Sequence, residues 1–180
     1  MIQSFKNIWN IPELRRRVLY TLGLLAIYRI GGHIPTPGVD NANLLRYFES
    51  QGGSILGYVD LFAGGNFRRF TVFALGIMPY ITASIILQLF TVIWPYLEKL
   101  SKEGEAGRRK ITQWTRYGTV ILSFIQAFGV AKWLESASSS AGVGQIVRHP
   151  GIAFELLTVV TLTSGTAFIM WLGEQISERG

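Results

Sequence analysis

Four stretches of the chain are apolar enough, alone or as a set, to be helices that cross a membrane. The clearest is residues 70–97, FTVFALGIMPYITASIILQLFTVIWPYL, which holds no charge. A helix needs roughly 20 mostly apolar residues to cross the hydrocarbon of a bilayer, so this stretch suffices alone. Residues 18–34, 117–134 and 156–173 are shorter or interrupted. Their charges, Arg29, Lys132 and the preceding Glu155, stand near segment ends, where long side chains reach the interface. The pattern predicts membrane helices over 18–34, 72–97, 117–134 and 155–173. A cytoplasmic segment (1–17), an outer loop (35–71), a basic cytoplasmic loop (98–116), a second outer loop (135–154) and a short cytoplasmic end (174–180) flank them.

Residues 35–71 are too many for a plain connector. They contain NANLLRYFES, a short helical pattern that starts near Asp40, then Gly52-Gly53, SILGYVDLF, Gly64-Gly65 and NFRRF. An apolar piece as short as SILGYVDLF, bounded by glycine pairs, suits a re-entrant element sheltered by protein or a water-filled cavity. The alternative is a helix lying on the outer leaflet. SASSSAGVGQ, residues 136–145, reads as a flexible outer-surface loop. TLTSGTAF, residues 161–168, is rich in small residues and predicts close helix–helix packing.

Composition agrees with a membrane protein: 49% of residues are hydrophobic and 16% charged, with a mean hydropathy of +0.31. There is no cysteine, hence no disulfide and no thiolate metal site. The net charge is +6, and its placement is informative. Lys6, Arg15, Arg16 and Arg17 precede the first span; Lys99, Lys102, Arg108, Arg109, Lys110 and Arg116 lie between the second and third. Cytoplasmic loops carry the excess of Lys and Arg, so the N-terminus and residues 98–116 are expected in the cytoplasm, and four crossings return the C-terminus there. Arg46, Arg68 and Arg69 run against this pattern, in a loop long enough for the charge rule to weaken. No cleavable signal is visible in the basic first segment. The chain is expected to be one piece of a longer protein.

On a helical wheel of about 100° per residue, Ala74, Ile77, Ile81, Ser84, Ile85, Gln88 and Thr91 share one face of the second span. Leu75, Pro79, Ala83, Ile86, Phe90 and Ile93 occupy the opposite, wholly apolar face. Gln88 is costly in hydrocarbon unless it meets water or a partner. The first face therefore looks into an interior that is wet on the cytoplasmic side and aliphatic at mid-membrane, at Ile77 and Ile81. Pro79 is expected to bend the helix by clashing with the carbonyl of Leu75. An ordinary kinked helix, with Gln88 bonded to a neighbour, fits the same residues.

Catalytic chemistry finds little support. His33 and His149 sit in the expected outer loops with no partner at metal-ligand spacing. HExxH, GxSxG and P-loop patterns are missing from the sequence, so neither an enzyme nor a cofactor is expected. A small-solute secondary transporter is the rival class, since it too uses broken helices. Its coupling site needs a mid-membrane acid or ordered polar cluster, and these spans hold none.

Several stretches resemble the SecY family, the pore subunits of protein-conducting channels. ALGIMPYITASIILQL (74–89) is similar to the family's second-helix signature, and KEGEAGRRKITQWTRYGT (102–119) to its second-to-third helix loop. DLFAGGNFRRFTVFALG (60–76) resembles its plug region, and MWLGEQISERG (170–180) the start of a second signature. The resemblance runs in order over nearly the whole chain. It implies an all-α polytopic protein that contributes four helices to a ten-helix channel of two inverted halves, with a short plug helix in the first outer loop. It also implies that Ile77 and Ile81 belong to an aliphatic pore ring and that Ser84, Ile85 and Gln88 line the pore. The plug would include Asp60, Leu61, Phe62, Ala63, Gly64, Gly65, Asn66, Phe67, Arg68 and Arg69, within a helix over about 55–69. Gly76 and Pro79 would set the bend between plug and pore helix. The second and third helices would form one side of a lateral gate to lipid. Implied partners are SecE and SecG subunits, a SecA motor or ribosome at a cytoplasmic surface that includes Arg108, Arg109 and Lys110, and a translocating polypeptide with its signal sequence. Membrane lipid surrounds the channel, and no nucleic acid other than ribosomal RNA is implied. Localisation in the cytoplasmic (inner) membrane follows.

Overall fold

The computed structural model describes residues 11–50, 55–140 and 144–180. Lys6, Gly52, Gly53 and the 141–143 part of the small polar stretch lie outside the described residues. Among the described residues seven helices follow one another: α1 (Pro12–Gly31), α2 (Asn41–Ser50), α3 (Ile55–Phe62), α4 (Met78–Ile93), α5 (Pro95–Lys102), α6 (Glu105–Ser140) and α7 (Ile152–Arg179). Among the described residues there is no strand, only two isolated bridges, Pro35 with Thr71 and Val39 with Val147. The expected all-α class is the observed one.

Local chemistry sets most of the helix ends. Pro12 occupies the first turn of α1, where its missing N–H costs nothing, and Glu13 complements the helix dipole there. Asp40 caps α2: its Oδ1 accepts N–H bonds from Ala42 at 3.0 Å and Asn43 at 3.3 Å. α3 stops at a Schellman turn. Gly65 N–H reaches the carbonyl of Asp60 at 2.9 Å and Gly64 N–H that of Leu61 at 3.2 Å, with Gly64 at φ +65°.

The charge-free second stretch folds differently from the expected 72–97 helix. Residues 72–77 are consecutive turns, and α4 starts only at Met78. Gly76, at φ +56°, takes a conformation that a right-handed helix does not contain. Pro79 therefore lies in the first turn of α4 and is not a mid-helix kink; no helical carbonyl at Leu75 exists for it to clash with. The sharp bend is elsewhere. Pro95 forces Trp94 into an extended conformation (φ −101°, ψ 114°), and α5 leaves α4 at 100°.

The basic segment expected as a loop over 98–116 is mostly helical. α5 ends at Lys102, Gly104 turns the chain at φ +76°, and α6 begins at Glu105. Arg108, Arg109 and Lys110 are exposed residues of the first turns of α6. At its other end α6 continues through Ser136 to Ser140, so half of the expected flexible stretch is helix. Ser138 has a structural use: its Oγ accepts N–H bonds from Ile146 at 3.0 Å and Val147 at 3.3 Å.

α7 is the organising helix. It packs against α6, α1 and α4, and α4 packs against α6. Phe154, Thr158, Leu162, Gly165, Ile169 and Leu172 recur at three- and four-residue spacing along its buried side. Small residues bring the other pair together: a Cβ on Gly118 of α6 would lie 3.6 Å from the Ala83 methyl of α4. α6 and α7 are each long and apolar enough to cross a membrane, and the bent pair α4–α5 passes the same test as a unit. α1, which carries four arginines and Glu13, is not among them.

Side-chain contacts sort the molecule into two ends. At one end Tyr20 donates to Gln175 Oε1 at 3.2 Å, Arg17 to the Gly180 carbonyl at 3.4 Å, and Arg116 pairs with Glu174 at 2.7 Å. At the other end two backbone ladders tie three segments together. Thr36 N–H bonds to Phe70 O and Val72 N–H to Ile34 O; Asp40 N–H bonds to Ile146 O and Arg148 N–H to Gly38 O. Lys132 pairs with Glu155 at 2.6 Å across α6 and α7, and Glu135 accepts the N–H of Gly151 at 2.8 Å.

Candidate functional site: an isoleucine line beside an anchored turn

α4 presents two unlike sides. Pro79 and Ala83 are buried against the bundle. Ile77, Ile81 and Ile85 stand outward, 37%, 42% and 51% exposed. Ile77 is the residue before the helix, not a member of it; its carbonyl accepts the Ile81 N–H at 3.1 Å and starts the first turn. The two isoleucines thus remain one turn apart although the preceding segment is not helical. Further along, Gln88 Nε2 donates to Ser84 Oγ at 3.3 Å, and Thr91 Oγ1 donates to the Gln88 carbonyl at 2.6 Å. Gln88 is exposed, and its partner is the serine one turn earlier.

Ile77 and Tyr80 also line a cavity of about 360 Å³ that reaches Thr112, Arg116, Glu174 and Glu178. The open side of α4 therefore communicates with the end of the molecule where the basic residues gather. Both Arg116 and Glu174 are held there by their mutual ion pair.

The segment before α4 divides at Gly64. On the near side, helix α3 exposes Tyr58 and Leu61 at 70% and 76%. Beyond it the chain is pinned. Asn66 is buried; its Nδ2 donates to Tyr28 Oη at 3.1 Å and to the Ala63 carbonyl at 2.9 Å, and its Oδ1 accepts from Thr71 Oγ1 at 3.3 Å. Asp60 Oδ1 accepts the backbone N–H of Arg68 at 2.8 Å. Phe67 stacks with Trp133 at 6.1 Å between ring centroids and meets Phe48 and Phe70 edge-on. Phe70 is fully buried at φ +43°, a conformation that a bulky residue keeps only where packing over-determines it. A helix over 55–69 was expected; it ends at Phe62, because Gly64 and Gly65 cap it.

The remaining expected residues have plainer settings. Arg68 and Arg69 are exposed and, among the described residues, form no ion pair. In the α5 turn, Glu98 is held below the ordinary carboxylate range by the Lys102 ammonium that donates to it. Sequence reasoning missed the 100° turn at Trp94–Pro95 and the Tyr28–Asn66–Thr71 network. Pro95 itself was the available signal for the first; the second joins residues far apart in the chain.

The family model for SecY matches residues 71–180, which include α4 and all that follows it. The chain is 51% identical over 178 residues to the protein translocase subunit SecY of Escherichia coli (strain K12), covering 99% of this chain and 39% of the relative. It is 51% identical to that of Buchnera aphidicola subsp. Acyrthosiphon kondoi, covering 49% of it, and 47% identical over 185 residues to that of Streptomyces coelicolor. The chain belongs to the SecY family. It spans between about two fifths and half of the length of these curated relatives. Family membership and the long apolar helices make it a polytopic membrane protein of several spans. Its relatives carry the name of translocase subunits.

Proposed function

We propose that this SecY-family chain is part of a protein-conducting channel that moves unfolded secretory polypeptides across the membrane and releases membrane segments laterally into it. The observation that carries the proposal is the outward line of Ile77, Ile81 and Ile85, directly after a pinned turn and a short helix that exposes Tyr58 and Leu61. Aliphatic side chains suit a passage for many sequences. They bind none of them specifically, and they dewet a narrow aperture when it is empty. Ser84, Ile85 and Gln88 would line the wetter approach to that ring.

α3 would be the moving part of the plug, and residues from Asn66 onward its anchor: Tyr58 and Leu61 of α3 stand exposed, whereas the buried Asn66 is held by the Ala63 carbonyl and Thr71. Gly76 and Pro79 serve by starting α4 abruptly, which brings the anchored turn beneath the isoleucines. In the inner membrane, the basic residues at the Arg116–Glu174 end favour a cytoplasmic N-terminus. Arg108, Arg109 and Lys110 would then face a SecA motor or a ribosome. SecE and SecG, and the rest of the channel, would cover the apolar faces that this part leaves open. No catalytic step is proposed.

The complete channel in a planar bilayer tests the assignment. Conductance that rises on addition of a signal-sequence peptide is the expected result. Ion-coupled uptake of a small solute, with no response to the peptide, would instead make it a transporter.

A further inference from the structure

A pocket of about 540 Å³ opens between the end of α1, α2 and the turn after α3. Arg29, Arg68 and Arg69 line it together with His33, and so do the carboxylates Glu49 and Asp60. Two other cations at this end of the molecule close onto acids, Lys132 onto Glu155 at 2.6 Å and Arg148 onto Asp40 at 3.9 Å, while the exposed Arg46 forms no ion pair among the described residues. In the pocket, among the described residues, none of the three guanidinium groups forms an ion pair or donates a hydrogen bond. Asp60 spends one oxygen on the Arg68 N–H. Tyr28 Oη accepts from Asn66, which leaves its own proton free to donate. The pocket therefore holds unused donors for an oxyanion and unused acceptors within one opening.

We infer that this pocket binds the headgroup of a phospholipid whose phosphodiester is followed by a hydrogen-bond donor, a hydroxyl or an ammonium. Guanidinium forks match two phosphate oxygens at once. Arg29, Arg68 and Arg69 would take the phosphate with the Tyr28 hydroxyl, and Glu49 and Asp60 the donor at the far end of the headgroup. A lipid held here would tie the end of α1 to the anchor of the short helix. The site stands on the pocket alone; only its assignment to the outer leaflet rests on the proposed orientation.

The complete channel, purified with its partner subunits in a nonionic detergent, is titrated with dihexanoyl phosphatidylglycerol, dihexanoyl phosphatidylcholine and inorganic phosphate. Native mass spectrometry counts the bound lipid. Comparing parent with variant cancels lipid held by basic residues at the other end. Phosphatidylglycerol is expected to bind more tightly than phosphatidylcholine, which has no donor. Removing one charged hydrogen-bonding group costs about tenfold in affinity, so Arg68→Gln with Arg69→Gln should weaken one site by roughly a hundredfold. Arg46→Gln, outside the pocket, should leave it unchanged. Should the double variant fail to fold, Arg29→Gln alone should lose about tenfold. Equal binding by parent and pocket variants, or equal binding of the two lipids, overturns the inference. Inorganic phosphate that binds as well as the lipid would assign the pocket to free phosphate and overturn the headgroup reading. Because binding is measured without translocation, its failure would leave the channel proposal standing, and the converse holds.

Discussion

Replacing Ile77 and Ile81 together by serine is expected to raise the resting ion conductance of the complete channel by at least about tenfold. Each substitution removes three carbons from an outward-facing side chain and adds a hydroxyl. At ~0.8 kcal/mol per carbon, about 2 kcal/mol of the tendency to exclude water is lost at each position. If only ~1.4 kcal/mol of the combined loss lowers the barrier to a hydrated ion, conductance rises about tenfold. Folding should be nearly unaffected, because both residues face away from the buried side formed by Pro79 and Ala83. Planar-bilayer recordings of the closed channel measure the leak. Unchanged leak in a folded double variant would remove the ring role from these positions.

The second large effect is on stability. Gly165→Ala is expected to destabilise the protein by about 2–3 kcal/mol, the upper part of the ~1–3 kcal/mol range of overpacking in a close-packed interior. The new Cβ would fall on the carbonyl oxygen of Val72 and 3.0 Å from its Cγ1. Val72 cannot retreat easily, since its N–H bonds to Ile34 O at 3.0 Å and its neighbour Thr71 bridges Pro35. Gly23→Ala in α1 is the control. Nothing lies within 4 Å of its Cβ position, so it should be neutral or stabilise by roughly 0.5–1 kcal/mol through helix propensity. Thermal unfolding of the complete channel carrying each change separates the two. Similar transitions would mean that the turn at 72 yields to α7.

The same glycine illustrates what the sequence made legible. TLTSGTAF announced a close approach on α7, and a close approach occurs there. Its partner is the backbone of the turn before α4, not another helix. Small residues report a short distance, and they carry no record of what comes near. The apolar pattern likewise located α6 and α7, because hydrophobic periodicity acts over a few neighbouring residues; the Gly64-Gly65 pair bounds the short apolar piece, yet the expected helix over about 55–69 ran through it, whereas α3 ends at Phe62.

What escaped depends on longer range or on rank among breakers. Residues 72–77 are as apolar as a helix but fold as turns. Gly76 at positive φ and the buried ring of Phe73, stacked on Tyr28 at 5.5 Å and Phe168 at 6.1 Å, outweigh the local preference. Among the prolines of this stretch, Pro79 looked like the kink and Pro95 was passed over. A proline in a first turn is harmless, whereas one after an established helix stops it; only the true start of α4 separates the two cases. The basic segment resembles a loop because its charges interrupt every apolar run, although Leu97 and Leu100 lie three apart on one side of α5, with Leu100 buried. The isoleucine line was legible as a wheel face. That it faces outward, and that the pinned turn lies beside it, required the bundle.

On the proposed function, the outward side of α4 borders the path of a translocating chain. A single cysteine introduced as Ile81→Cys in the complete channel, otherwise free of cysteine, tests it. This chain supplies no competing thiol. Secretory chains of increasing length, each with one cysteine, are stalled during translocation and oxidised. Disulfide crosslinks to position 81 are expected to appear and vanish as the chain's cysteine passes mid-membrane. Chains that translocate fully while position 81 never crosslinks to them would contradict it and make this side of α4 a packing surface.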